Sequence, residues 1–423
     1  MAPLLGCIAD DFTGATDLAG MLVSSGMRTV QMIGVPAASA APPEADAVVV
    51  ALKSRTVAPG TAVAQSLAAL RWLHEAGCRR FYFKYCFTFD STDAGNIGPV
   101  ADALMSALDT PFTVACPAFP ENGRTIFRGH LFVGDVLLSE SGMRDHPLTP
   151  MTDANLVRVL QRQTRRKVGL LRYLDVAAGA GRIGARFDEL QREGVEIAVV
   201  DATSNEDLLS IGTACAALPL VTAGSGVALG LAAAYRALGA LTTSGSAAAL
   251  PPPTGSRAIV SGSCSPATLG QIAAAIAAGI PAYRVDPIQL AQGDDVVEAV
   301  ARWAAPLLPR GAVLVYTSAE PERVRAVQDR LGRERAGELV ERALASIAGR
   351  LVALGVGQLI VAGGETSGAV VSALGVEGLR IGPQIAPGVP WTSTLGGNAL
   401  ALALKSGNFG GPTFFVDAWR ELT

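Results

Sequence analysis

The sequence predicts an α/β protein of two domains, each a largely parallel sheet flanked by helices. Short apolar runs alternate with helical segments along the chain, and 423 residues exceed one ordinary domain. A connector of small polar residues and three prolines interrupts the alternation once. Hydrophobic residues make up 50% of the chain but aromatics only 5%, so the apolar content is mostly Ala, Val and Leu, as suits close helix–sheet packing.

Residues 4–9 form an apolar run of the kind that is buried on both faces of a parallel sheet. Leu18, Met21 and Leu22 then recur at helical spacing, and Gly26 suits a helix stop. The turn between them, Asp10-Asp11-Phe12-Thr13-Gly14, is therefore expected at the carboxyl end of the first strand, where open α/β sheets bind ligands. Helix capping alone would need only one of Asp11 or Thr13. Asp17, further into the helix, reads as solvated or structural.

Further strands are expected at 29–33, 47–52, 80–85, 112–115, 168–171, 197–200 and 218–222. Polar residues gather where they end. Lys53-Ser54-Arg55-Thr56 follows one strand, and Lys84 ends the next, ahead of Thr88, Asp90, Ser91, Thr92 and Asp93. Pro117-Ala118-Phe119-Pro120 with Gly123-Arg124, and Asp201-Ala202-Thr203-Ser204, follow two more. A single such charge reads as a solvated loop residue. Together these ends describe a site for a small anionic, hydroxylated molecule. His130 and His146 lie in a less regular stretch and read either as proton carriers or as structural groups, with no nucleophile beside them.

Residues 239–256 form the connector, which divides the chain into domains 1–238 and 257–423. Beyond it, strands are expected at 257–260, 282–285, 312–316 and 358–361, with helices at 295–304, 322–331 and 336–354. Pro266 suits the first position of another helix. The strand near 361 runs into Gly363-Gly364-Glu365-Thr366-Ser367-Gly368 and a helix start. Such a turn offers backbone N–H groups and a favourable dipole end to phosphate, and its glycines allow close approach. It has neither Walker A nor G-x-G-x-x-G spacing. Ser261-Gly262-Ser263-Cys264-Ser265 and Lys405-Ser406-Gly407-Asn408-Phe409-Gly410-Gly411 are similar turns, and the three together suggest a nucleotide cradle without a P-loop.

Lys and Arg total 34 against 37 Asp and Glu, a net charge of −3, which gives no footprint for nucleic acid or an anionic membrane. Six cysteines without a C-x-x-C pair, and three histidines, argue against zinc or a disulfide framework and fit a reducing cytoplasm. The start of the sequence lacks the pattern of a signal peptide. The uncharged stretch 211–235 is broken by Pro219, Gly224, Gly226 and Gly230, so it reads as a buried strand, turn and helix rather than a membrane span. A homo-oligomer is left open.

Four groups of residues carry a resemblance across almost the whole chain. They are Ile8-Ala9-Asp10-Asp11-Phe12-Thr13-Gly14-Ala15, Lys84-Tyr85-Cys86 with Thr88-Phe89-Asp90-Ser91-Thr92, the Pro117–Arg124 loop, and Gly363-Gly364-Glu365-Thr366-Ser367-Gly368. In this order they resemble the four-carbon acid sugar kinase family. The resemblance implies a sugar-acid-binding first domain, a nucleotide-binding second domain and an active-site cleft between them. It implies ATP-dependent phosphorylation of the C4 hydroxyl of a four-carbon acid, 3-oxo-tetronate giving the 4-phosphate, with threonate or erythronate as alternative acceptors.

By the same resemblance Ser261, Gly363, Gly364, Glu365, Thr366 and Gly407 would contact ATP, with Ser263 in the same cradle. Asp10, Asp11, Lys84 and Arg124 would face the acid, beside Thr13, Asp90 and Ser91. Phe87 stands where the family commonly has serine.

Phosphoryl transfer needs in-line positioning, charge neutralisation and usually Mg²⁺, whose ligands stay open, although Glu365 could hold a magnesium water. Lys84 and Arg124 would grip the acid, while Asp11, or secondly Asp10, would accept the hydroxyl proton. Two rivals come from other classes. An NAD(P)-dependent dehydrogenase of sugar acids would need a dinucleotide fingerprint that is absent, and a non-catalytic sugar-acid sensor leaves the glycine–hydroxyl turns unexplained.

Overall fold

The computed structural model describes residues 2–146, 148–242, 247–293, 295–396 and 399–422. Part of the expected connector, 243–246, lies outside them. The chain divides into two compact units, Met1–Ala247 and Ala248–Thr423.

In the first unit the chain passes through β1 (Leu5–Ala9), α1 (Phe12–Ser24), β2 (Thr29–Ile33), β3 (Ala47–Ala51), α2 (Pro59–Glu75) and β4 (Arg80–Lys84). It continues through α3 (Ile97–Ala107), β5 (Thr113–Cys116) and the short strands β6 (Arg124–Phe127), β7 (His130–Val133) and β8 (Val136–Leu137). Then come α4 (Leu156–Gln161), β9 (Val168–Leu171), α5 (Tyr173–Val176), α6 (Ala180–Arg192) and β10 (Ile197–Val200). The last are α7 (Asn205–Cys215), β11 (Leu220–Ala223) and α8 (Ala228–Ala237).

Within this unit the strand order is β2-β3-β1-β4-β11-β5-β10-β9, parallel throughout. β1 and β3 are buried along their whole length, the consequence of continuous apolar runs covered by helices on both faces. Because β2 and β3 lie to one side of β1 and β4 to the other, the chain changes direction at the β1/β4 boundary. That boundary is the switch point at which a parallel sheet opens a crevice. The irregular stretch after Arg124 folds as a small antiparallel sheet, β6-β7-β8.

The second unit contains β12 (Ser256–Ser261), α9 (Pro266–Ala277), β13 (Ala282–Arg284), α10 (Pro287–Gln292), α11 (Val296–Ala304) and β14 (Val313–Tyr316). It continues with α12 (Pro321–Leu331), α13 (Arg333–Ala353), β15 (Val356–Ala362) and α14 (Gly364–Ala373). It closes with β16 (Gly378–Ala386), β17 (Val389–Thr394), β18 (Ala401–Lys405) and α15 (Phe414–Asp417).

Here the order is β13-β14-β12-β15-β18-β17-β16. The first five strands are parallel, and β17 pairs antiparallel with both β18 and β16. The parallel expectation thus holds for most of this sheet and gives way to a hairpin at its end. Trp391 and Trp419 pack with ring centroids 5.5 Å apart in the core beneath it. Pro266 stands at the first position of α9, with Ser265 capping the helix through the Thr268 amide.

No helix among the described residues is long and apolar enough to cross a membrane. The uncharged stretch 211–235 forms the end of α7, then β11, a turn and most of α8.

Candidate functional site

The first unit gathers its charges at the β1/β4 switch point. Asp10 follows β1, and its amide donates to the Lys84 carbonyl at 3.0 Å, while the Ser54 amide donates to the Asp10 carbonyl at 2.9 Å. Three strand ends are thereby knitted together. The Asn96 amide group donates to the Ser54, Arg55 and Val57 carbonyls, which fixes the loop after β3.

That loop delivers Arg55. Its guanidinium binds Asp10 through both carboxylate oxygens, at 2.8 and 2.9 Å, and reaches Asp11 at 2.8 Å and Asp90 at 3.9 Å. The sequence put Arg55 among the charged strand ends but not among the site residues, since nothing local distinguishes it from a solvated loop charge. Burial raises the Asp10 carboxyl above its ordinary range against the pull of Arg55. Burial also works against the Arg55 charge, but Asp10 outweighs it and the guanidinium stays firmly protonated.

Asp11 caps α1 by accepting from the Gly14 amide at 2.9 Å and keeps 30% of its side chain exposed. It is thus both cap and site carboxylate. A side chain on Gly14 would overlap Asp11 Oδ1 and come within 2.6 Å of Lys84 Nζ. Thr13 lies half-buried in the same first turn.

Lys84 is fully buried, donates to the Tyr85 carbonyl at 3.0 Å and sits 4.8 Å over the Phe87 ring. Phe87 in turn packs tilted against Phe119 with centroids 5.0 Å apart, so this position forms an aromatic wall. Asp90 accepts from the Thr88 hydroxyl. The buried Ser91 hydroxyl accepts from Gln163 at 2.9 Å and is taken up by loop structure. Arg124 donates to the Asn122 carbonyl through Nη1, but its buried Nε has no partner.

The sequence leaves Asp17 as solvated or structural, and its burial rules out the solvated alternative, while Ser225 is not singled out at all. Asp17 has one buried carboxylate oxygen without a partner, and burial raises its carboxyl against the attraction of Lys84. The fully buried Ser225 hydroxyl, in the turn after β11, faces that carboxylate and favours its charged form. Their placement depends on long-range packing that no local pattern carries. His130 bonds the Arg128 carbonyl and Asn155, and His146 bonds Thr149. Asp201 accepts from the Arg128, Gly129 and Tyr173 amides and is a structural hub. Lys53 is exposed.

In the second unit the three glycine–hydroxyl turns converge at the β12/β15 boundary. The Gly262 and Ser263 amides donate to the Ala362 carbonyl, and the Gly363 amide donates to the Lys405 carbonyl. Gly363 has φ 123°, a conformation open to glycine, and a Cβ there would lie 2.9 Å from Thr366 Oγ1. A Cβ on Gly407 would overlap the Ser263 hydroxyl, and one on Gly262 would overlap Thr366 Oγ1.

The α14 N-terminus has no side-chain cap, so its first amides face outward beside exposed Gly364 and Glu365. Thr366 is buried behind them. Ser261 is wholly buried, with its hydroxyl 2.9 Å from that of Ser318.

Gly262 and Cys264 also border a cavity of about 490 Å³ that extends past Tyr283, Asp286 and Gln289 to the apolar Val324, Val327 and Val340. The arrangement offers anion-binding amides at one end and an apolar slot at the other. Among the described residues no group of three or more His, Cys, Asp or Glu could enclose a metal.

Known proteins share this architecture. The family model of a sugar-binding N-terminal domain matches residues 5–231, and that of a nucleotide-binding C-terminal domain matches residues 258–415. A 3-oxo-tetronate kinase of Cupriavidus necator is 62% identical over 423 residues, covering 99% of this chain and 97% of that one. A 3-oxo-tetronate kinase of Pseudomonas fluorescens is 60% identical over 421 residues, with coverage of 99% and 97%. A Salmonella typhimurium crystal structure superposes with TM-score 0.92 at 44% identity, covering 99% of each chain. One from Haemophilus influenzae gives 0.87 at 46%, covering 99% of this chain and 100% of that one. With two family models matched in order and relatives this similar along nearly the whole length, the chain belongs to the four-carbon acid sugar kinase family, phosphotransferases that act on a hydroxyl group.

Proposed function

We propose that this protein uses ATP to phosphorylate the C4 hydroxyl of 3-oxo-tetronate, giving 3-oxo-tetronate 4-phosphate and ADP. The observation that supports this most is that relatives bearing that name match it along 99% of its length.

The acid binds in the first unit, its carboxylate drawn to buried Lys84 and to Arg124, whose unpartnered Nε leaves a donor free. Asp11, the more exposed of the paired aspartates, accepts the proton of the acceptor hydroxyl as the new O–P bond forms. Asp10, bound on both oxygens by Arg55, holds that guanidinium and so positions Asp11. Thr13 and Asp90 shape the rim, and buried Ser91 holds the loop behind them.

The nucleotide binds in the second unit. Its phosphates meet the amides of Gly363, Gly364, Glu365 and Thr366 with Ser263 and Gly407, while Ser261 buttresses the turn from behind. The nucleoside occupies the adjoining cavity. ATP carries Mg²⁺, a cation that keeps its waters and takes few protein ligands, which fits a site where Glu365 is an exposed carboxylate in the turn and no cluster of three or more ligands lies among the described residues. The ion would neutralise phosphate charge. In-line transfer requires the bound phosphate to reach the bound hydroxyl, and exclusion of water at that moment suppresses ATP hydrolysis. Six free cysteines suit a reducing compartment such as the cytoplasm.

The test is ADP release from ATP with 3-oxo-tetronate, threonate and erythronate offered in turn. The expected result is the highest kcat/KM for the 3-oxo acid. Preference for threonate or erythronate would move the assignment within the family, and no acid-dependent release would remove it.

A further inference from the structure

The nucleotide half holds a buried cation that the proposed mechanism does not use. Lys405, at the end of β18, is 1% exposed. Its ammonium donates to the Thr268 hydroxyl, the Ser406 carbonyl and the Gly407 carbonyl, each at 3.1 Å. The Gly407 carbonyl also accepts from the Ser265 hydroxyl at 2.6 Å and from Thr268 at 2.8 Å. Three acceptors around one nitrogen call for three N–H groups. The frame is built for the charged form, since a neutral amine would turn a lone pair on one of those oxygens.

Yet no carboxylate among the described residues pairs with it. The elements packed around it present Thr268 from α9, the Ser406–Gly407 backbone, and the rings of Phe414 and Phe415 from α15, 5.9 Å away. No titratable group is among them, and burial alone lowers the ammonium to about 8.

A buried charge normally has a partner. Here the missing partner is an anion, and the nearest built anion site is the cradle. The Lys405 carbonyl anchors the Gly363 amide, and its ammonium anchors Gly407, so it touches two of the three converging turns.

We propose that Lys405 is the internal cation of the nucleotide cradle, a positioning residue that fixes Gly407 and supplies a positive charge whose counter-anion is the incoming polyphosphate. This rests on the nucleotide-binding reading of the second unit. Binding an anion above Lys405 raises its proton affinity. A group whose affinity for protons rises on binding favours the complex fully while it is already protonated, and loses that favour as pH climbs past its unliganded value.

The experiment is calorimetric titration of the full chain with ATP between neutral pH and about pH 9.5, in buffers of differing ionisation enthalpy. Affinity should hold near neutrality, then fall by up to about tenfold per pH unit above about 8, with proton uptake on binding. Lys405→Arg, which keeps its charge throughout, should retain neutral-pH affinity within a few-fold and lose both the decline and the uptake. Lys405→Met, checked for folding by circular dichroism, should lose about tenfold or more in ATP affinity but much less for adenosine, which carries no phosphate.

A flat wild-type profile without proton uptake, or a Lys405→Arg protein that keeps the wild-type decline, would overturn the proposal while leaving nucleotide binding intact. Failure of the wild type to bind ATP at all would instead remove the nucleotide reading.

Discussion

Arg55 is the residue on which the proposed acceptor site turns, because it compensates a carboxylate that burial would otherwise neutralise. Asp10 keeps only 8% of its side chain exposed and Arg55 22%, so their bidentate pair is shielded from water and salt. Removing one partner of such a pair costs about 3 kcal/mol or more, because it strands the other charge. Arg55→Met should therefore destabilise the chain by that order in urea unfolding. The loss should shrink toward acid, since the stranded Asp10 has a folded-state pKa above its unfolded one and regains stability as it protonates. Arg55→Met combined with Asp10→Asn should recover part of it. A surface-type loss under about 1 kcal/mol, independent of pH, would show that water still reaches the pair.

At the scale of the element, α1 exemplifies a helix start shaped for chemistry at the expense of propensity. Gly14 lies in its first turn, where alanine would normally gain about 1 kcal/mol. The space it leaves is filled by Asp11 Oδ1 and Lys84 Nζ, so a methyl group there would push the carboxylate from the Gly14 amide and forfeit a cap of similar worth. The two terms nearly cancel, so Gly14→Ala should leave the melting temperature within a few degrees while lowering kcat/KM for the acid by at least about tenfold. A melting curve and steady-state kinetics on one preparation decide it, and unchanged kinetics would mean that Gly14 serves only packing.

Elements of this kind were legible in the sequence because apolar runs stop where a turn residue begins. The expected strands at 29–33, 168–171 and 197–200 coincide with β2, β9 and β10. The β16–β18 ribbon was not legible: Pro383 and Pro390 sit inside its strands, and the pairing shifts register between Ile381 and Gln384. Arg55, Asp17 and Lys405 were visible as residues but not as neighbours of anything. Each acquires its surroundings from groups far away in the sequence, Asp10 for Arg55, Lys84 for Asp17 and Thr268 for Lys405, and burial of a lysine at a strand end leaves no local mark.

At the scale of the molecule, the two units repeat one topological device. In each, the second and third strands lie to one side of the first and the fourth lies to the other, giving β2-β3-β1-β4 and β13-β14-β12-β15. In each, the turn after the first strand carries the proposed site residues, Asp10–Asp11 in one and Ser261–Ser265 in the other. The first strand is where a parallel sheet parts its crossover helices, so polar groups can stand there without breaking a core. Since each unit is compact by itself, each proposed ligand site is supported by its own packing and should fail separately.

Asp11→Asn keeps the shape of the side chain and an oxygen for the helix cap, but a neutral amide cannot accept the hydroxyl proton. It should abolish acid phosphorylation, by about a hundredfold or more, while ATP affinity measured by calorimetry stays within a few-fold of wild type. The reverse pattern, normal turnover at saturating ATP with weakened nucleotide binding, would place Asp11 on the nucleotide instead of the acid. Loss of both together would mean that the two units do not hold their ligands independently.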